Sequence, residues 1–166
     1  MPGAFKNAGS MYVITGEPGF PYPMRSFRRS HTASRLWSRC MTCAGCSSWV
    51  VRVTSVEIIA AITRRERGRT RAPTDACTAR QAFRGNLATA YQVIEVPPVL
   101  ANRAMRFAEQ HGLRGYEALQ LAAGCEVHVR YLAAGLPAIT CIAADTERNT
   151  AAIAEGLTIE DPSAHP

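Results

Sequence analysis

The chain has 166 residues and 18.0 kDa, 47% hydrophobic and 19% charged, with a mean hydropathy of -0.08. This excludes disorder throughout and suits one domain, which should bury roughly 70% of the surface its unfolded form exposes. The longest aliphatic run, Ile58 to Ile62, is far too short to cross a bilayer, and the start of the chain lacks the cationic and apolar stretches of a secretory signal. A cytoplasmic protein without membrane contact is expected.

The formal charge of +6 is unevenly placed. Residues 1–56 carry Lys6, Arg25, Arg28, Arg29, Arg35, Arg39 and Arg52 against Glu17 alone; of the 19 basic and 13 acidic residues in all, this leaves 12 of each sign for the remainder. Such an asymmetry marks either a phosphate-binding arm or a junction between stretches of different origin.

The texture changes near residue 48. Upstream, Pro, Gly, Ser, Arg and Cys dominate, and residues 16–23 (GEPGFPYP) cannot form the interior of an element. Only Met11 to Thr15, MYVIT, reads as a short buried strand. An irregular segment over 1–48 and a folded domain over 49–166 are expected.

Trp49 to Val53 is a β-branched run and predicts a strand. Thr54 then opens a helix to about Arg67, with Val56, Ile59, Ala60 and Thr63 on its inner face and arginines at its C-terminal end, where they suit the dipole. Pro73 suits the first turn of a second helix to about Ala90, with Ala76, Ala79, Phe83 and Leu87 aligned. Tyr91 to Val96 predicts a strand stopped by Pro97 and Pro98. A third helix spans Val99 to Gln110, with Leu100, Ala104 and Phe107 inward and Gly112 ending it. Residues 115–133 predict a fourth helix, Ile139 to Ala143 a strand, Thr146 to Glu155 a helix closed by Gly156, and Leu157 to Ile159 a last strand. Strands alternating with helices argue for an α/β fold with a parallel sheet covered on both faces.

In such a sheet reactive groups gather beyond the carboxyl ends of the strands, where the next helices begin. Glu57, Glu117 and Asp145 all fall in or at first turns, so three carboxylates from distant parts of the chain can meet at one edge. Oxygen ligands of this kind suit Mg²⁺ or Mn²⁺. Each acid also has a plainer role. Thr54-Ser55-Val56-Glu57 fits a capping box, Glu117 a first-turn acid favoured by the dipole, and Asp145 a helix N-cap.

From about residue 49 onward the chain resembles the PIN-domain ribonucleases, particularly the VapC-type toxins of bacterial toxin–antitoxin pairs. The stretches that carry this are TSVEIIAAITRRERG (54–68), the YQVIEV strand, HGLRGYEALQLAA (111–123) and LPAITCIAADTERNTAAIAEGLTIEDPSAHP (136–166). The resemblance implies a three-layer α/β/α sandwich and a metal-dependent endoribonuclease that cleaves single-stranded RNA by metal-activated water. It also implies Mg²⁺ or Mn²⁺ as cofactor, a cognate antitoxin, and a homodimer. Glu57 matches the family's helix-borne Glu, Glu117 a position that is usually Asp, and Asp145 the Asp after the late strand.

Two departures stand out. The family opens with a strand ending in a metal-binding Asp, and here MYVIT puts Thr15 at that place, while an alignment anchored on Glu17-Pro18-Gly19 puts Lys6 there. The first 48 residues therefore read as out of frame or replaced, which sequencing the locus in all frames tests. Glu117 is also one methylene longer than Asp, and Mg²⁺ tolerates little distortion of its octahedron. The alternative expectation is an inactive PIN-fold protein that binds antitoxin or RNA without cleavage. A third reading takes Cys40, Cys43 and Cys46, spaced C-x₂-C-x₂-C, as the start of a metal-thiolate site, with Cys77, Cys125 and Cys141 as small core residues. His111 is expected to cap a helix end, and Arg64, Arg65, Arg67, Arg69 and Arg71 form a basic patch beside the helix of Glu57.

Overall fold

The structure is a computed structural model and describes residues 12–15, 47–143 and 145–161. The chain forms a mixed α/β fold. Its elements are β1 (Tyr12–Thr15), β2 (Ser47–Val51), α1 (Arg52–Arg67), α2 (Pro73–Thr89), β3 (Tyr91–Ile94), α3 (Pro98–His111), α4 (Gly115–Ala133), β4 (Thr140–Ile142), α5 (Thr146–Ala154) and β5 (Thr158–Glu160). Among the described residues no helix is long and apolar enough to cross a membrane.

The five strands form one sheet in the order β3-β2-β1-β4-β5. The expected parallel pairing holds for β2 with β3, where Trp49 faces Gln92, and for β4 with β5, where Cys141 faces Ile159. The central strand departs from it. β1 runs antiparallel to both neighbours, with Val13 opposite Trp49 on one side and Cys141 on the other. The sheet is therefore mixed. The carboxyl ends of β2, β3, β4 and β5 share one edge, and β1 brings its amino end there, since Tyr12 pairs with Ile142.

Side chains alternate across a strand, and in β2 this splits the core in two. Val50 joins Ile58 and Ile62 of α1, Ala76, Ala79 and Phe83 of α2, and Tyr91 of β3. Val51 joins a second cluster with Leu100, Ala104 and Phe107 of α3, Leu121 and Ala122 of α4, Ile139, Cys141, and Ala151 and Ala152 of α5. Trp49 packs on this second cluster, its indole edge-on to Tyr131 and its Nε1–H donating to the Tyr131 hydroxyl at 3.3 Å.

The inner faces of α2 and α3 match the sequence reading, with Leu87 partly buried at the margin. That of α1 does not. Its buried residues are Thr54, Ile58 and Ile62, while Val56 stands 66% exposed. The spacing i, i+4, i+8 is still helical, but rotated relative to the expected face. The helix also begins at Arg52 rather than Thr54, because β2 ends at Val51. Among the described residues three glycines hold positive φ where helices end: Gly112 at 68° after α3, Gly135 at 69° after α4 and Gly156 at 83° after α5.

Candidate functional site

At the carboxyl edge of the parallel strands, α1, α4 and α5 are joined through three buried polar side chains. Gln120 of α4 donates from Nε2 to the Thr54 hydroxyl of α1 at 3.3 Å, and its Oε1 accepts from Arg148 Nη1 of α5 at 2.5 Å. Relative exposures of 0% for Thr54, 2% for Gln120 and 1% for Arg148 show that water is excluded from the chain. Hydrogen bonds to a charged group in such surroundings are among the strong ones. Asn149 adds an anchor, donating from Nδ2 to the Ala143 carbonyl at 2.9 Å and tying α5 to the end of β4.

The three acids stand around this chain. Asp145 is the N-cap of α5, its Oδ1 accepting the Arg148 backbone N–H at 2.9 Å. Glu117 turns back at the start of α4, where its Oε2 accepts the Arg114 backbone N–H at 3.0 Å. The plain roles expected for these two residues are therefore present. For Glu57 the capping role is corrected: Thr54 lies inside α1, the helix has no side-chain cap, and the Thr54 hydroxyl instead receives Gln120. A capping box needs its hydroxyl one residue before the helix, and the early start at Arg52 removes that geometry.

The electrostatics link these groups. Burial holds the Glu57 carboxyl above the usual carboxylate range, a hydrogen bond with Tyr116 and the charges of Arg64 and Arg148 oppose this, and the like charge of Glu117 adds to it. Burial pulls the Arg148 guanidinium below its ordinary value, while Asp145, Glu117 and Glu57 all work to keep it charged. The Tyr116 hydroxyl is pushed up by burial and stands among Thr54, Glu57 and Gln120.

Hard oxygen donors at one edge suit a divalent cation in chemistry. They are not gathered round one point: among the described residues no three acid, His or Cys side chains are grouped to hold an ion. The fourth expected position contributes nothing at this edge. Thr15 pairs with Ser47, the first residue of β2, so the antiparallel direction of β1 carries it to the opposite edge from Val51.

The other signals divide. Cys40, Cys43 and Cys46 lie outside the described residues, as do Lys6 and Glu17. Cys125 and Cys141 are buried as expected, which pushes their thiols up to about 11 and about 12, whereas Cys77 is exposed and so is no core residue. His111 is the last residue of α3, but its Nε2 meets Glu155 Oε1 at 2.8 Å. In the basic patch Arg64, Arg67 and Arg69 are exposed.

Gln120 and Arg148 have no counterpart among the sequence expectations, and Thr54 was expected only as a helix cap, yet each carries a signal. Thr54 shares a helical row with Ile58 and Ile62, Gln120 sits in the apolar run of α4, and Arg148 shares a face with Ala151 and Ala152. A polar residue on an otherwise apolar face marks a buried hydrogen-bond partner. No protein-family model, no curated protein and no solved structure matches the chain.

Proposed function

We propose that the chain is a PIN-type protein of the VapC kind, with the three-layer α/β/α arrangement of that family. In this reading it cleaves single-stranded RNA as the toxin of a toxin–antitoxin pair, with Glu57, Glu117 and Asp145 holding Mg²⁺ or Mn²⁺. One observation carries the reading: Glu57 in the second turn of α1, Glu117 in the first turn of α4 and Asp145 at the N-cap of α5 each lie three residues from a member of the buried Thr54–Gln120–Arg148 chain at the carboxyl edge of the parallel strands, so the first-turn place expected for Glu57 is shifted by the early start of α1. That is where an α/β sheet gathers its reactive groups. A bound divalent ion supplies an activated water and stabilises charge on the phosphate. The protein's own part is to orient that ion through the three carboxylates. The exposed Arg64, Arg67 and Arg69 at the C-terminal end of the helix of Glu57 supply the positive surface on which RNA phosphates settle. The expected partners are an antitoxin encoded by a small neighbouring reading frame and a second copy of the chain.

The test is cleavage of a labelled single-stranded RNA by the purified protein in Mn²⁺. Cutting is expected, stopping with chelator and falling at least 100-fold in Asp145→Asn, since Asn keeps the helix cap but not the charge. Cleavage that survives both interventions contradicts the reading.

A second reading is favoured by the direction of β1, which leaves Thr15 at the far edge. It is a PIN-fold protein that binds antitoxin or RNA without cutting. It predicts RNA retention on a filter with no metal-dependent products.

A further inference from the structure

The turn that follows α1 holds a residue in a conformation its side chain opposes. Arg69 has a φ of 53°, and among the described residues it is the one non-glycine residue with positive φ. Hydrogen bonds fix the backbone there. The Arg69 N–H donates to the Glu66 carbonyl at 3.0 Å, the Thr70 N–H to the Arg65 carbonyl at 3.0 Å, and the Thr70 hydroxyl to that same carbonyl at 3.1 Å. Paired bonds of this kind end a helix through a left-handed residue, a place that normally goes to glycine. Here the glycine stands one residue early. Gly68 has a φ of -76°, and a Cβ added to it would lie 3.3 Å from the Arg64 carbonyl oxygen. The left-handed position falls to an arginine instead, although the Cβ of an L-residue crowds its carbonyl in that region.

Backbone strain kept where a strain-free residue would serve is a pointer to function. The surrounding charge gives the function its chemistry. From Arg64 to Arg80 the sequence holds six arginines against Glu66 and Asp75, and Glu66 is engaged by Arg80 of α2. Arg64, Arg67 and Arg69 are exposed, and among the described residues no ion pair reaches them. The end of α1 brings about half a negative charge through the helix dipole, which is far less than these arginines supply.

We infer that Arg69 is a phosphate-positioning residue: fixed in the left-handed turn after α1, its exposed guanidinium acts with Arg64 and Arg67 on the phosphodiester backbone of a single-stranded nucleic acid. This deepens the reading above, on which it rests for RNA as the natural ligand, by naming the backbone contact. A guanidinium suits the task because its planar fork pairs two N–H groups with two phosphate oxygens.

The test is fluorescence anisotropy of a short labelled oligouridylate on the full chain, with chelator present so that metal-dependent cutting is held off. Arg69→Gly is expected to bind about fivefold or more weakly, and to lower the slope of log affinity against log salt by about 0.7, as one phosphate contact is lost. It is also expected to melt above the wild type, because glycine relieves the turn. Arg69→Lys keeps the charge and is expected to bind more tightly than Arg69→Gly. Unchanged affinity and slope in Arg69→Gly overturn the inference, as does Arg69→Lys binding no better than Arg69→Gly. Arg69→Gly melting below the wild type overturns it too, since the side chain then holds the turn and not a ligand. Unlabelled competitors separate the sources of the anion. Displacement by oligothymidylate as well as oligouridylate supports a contact to the shared backbone, and displacement by oligouridylate alone supports one that also reads the ribose. Polyglutamate displacing the label as well as oligouridylate does would assign the surface to an acidic peptide and overturn the inference. Its failure and that of the nuclease reading are distinguishable. A wild type that binds through Arg69 yet cuts no RNA in Mn²⁺ sinks only the nuclease, while an Arg69→Gly protein that binds and cuts like the wild type sinks only the phosphate contact.

Discussion

Gln120 decides how three helix beginnings sit relative to one another. Its amide satisfies a hydroxyl on α1 with one end and a guanidinium on α5 with the other, and no solvent reaches either bond. The two bonds are unequal in consequence. Thr54→Val removes a neutral acceptor and leaves one N–H of Gln120 unmet, a loss of about 1 kcal/mol. Gln120→Leu leaves a buried charge without its acceptor, and about 3 kcal/mol is expected because unmet charged groups cost more than neutral ones. Urea unfolding of the two variants checks the order. Equal losses would mean that the Arg148 bond contributes no more than an ordinary one.

At the scale of the element, glycine positions give a prediction of opposite signs. Gly85 lies inside α2 with nothing within 4 Å of an added Cβ, so Gly85→Ala is expected to stabilise by about 0.5–1 kcal/mol through lower backbone entropy in the unfolded chain. Gly112 has equal space but a φ of 68°, and there Ala is expected to cost about 1 kcal/mol. Thermal melts read both, and like signs would contradict the left-handed end of α3. The same elements show what the sequence carries. α3 was legible because Leu100, Ala104 and Phe107 stand alone on one face between Pro98 and Gly112. α1 was misread because its apolar residues run nearly all round, so the period did not decide which face turns inward. The true face is led by a threonine whose partner is 66 residues away.

For the whole molecule, the parallel pairs β2–β3 and β4–β5 followed from the alternation of strands and helices, since the helical crossovers, α1 with α2 in one case and α5 in the other, return the chain to the same direction. The direction of β1 did not follow. Four residues, YVIT, specify burial but not orientation, and a central strand pairs equally well either way when both neighbours offer open ladders. The reversal places Thr15 at the far edge, and β1 carries no carboxylate in either direction. The places of Glu117 in the first turn of α4 and Asp145 at the N-cap of α5 were legible in the sequence, whereas Glu57 lies a turn deeper in α1 than its reading expected. The buried Arg148 guanidinium was not legible, because an arginine in sequence reads as a solvated charge.

The central claim is that these three carboxylates act on one divalent ion, and crystals soaked in Mn²⁺ test it most directly by anomalous diffraction. A single anomalous peak about 2.2 Å from carboxylate oxygens of Glu57, Glu117 and Asp145 is the predicted result. Mn²⁺ bound elsewhere on the molecule, with this edge unchanged and Arg148 still seated on Gln120 at saturating metal, would contradict it.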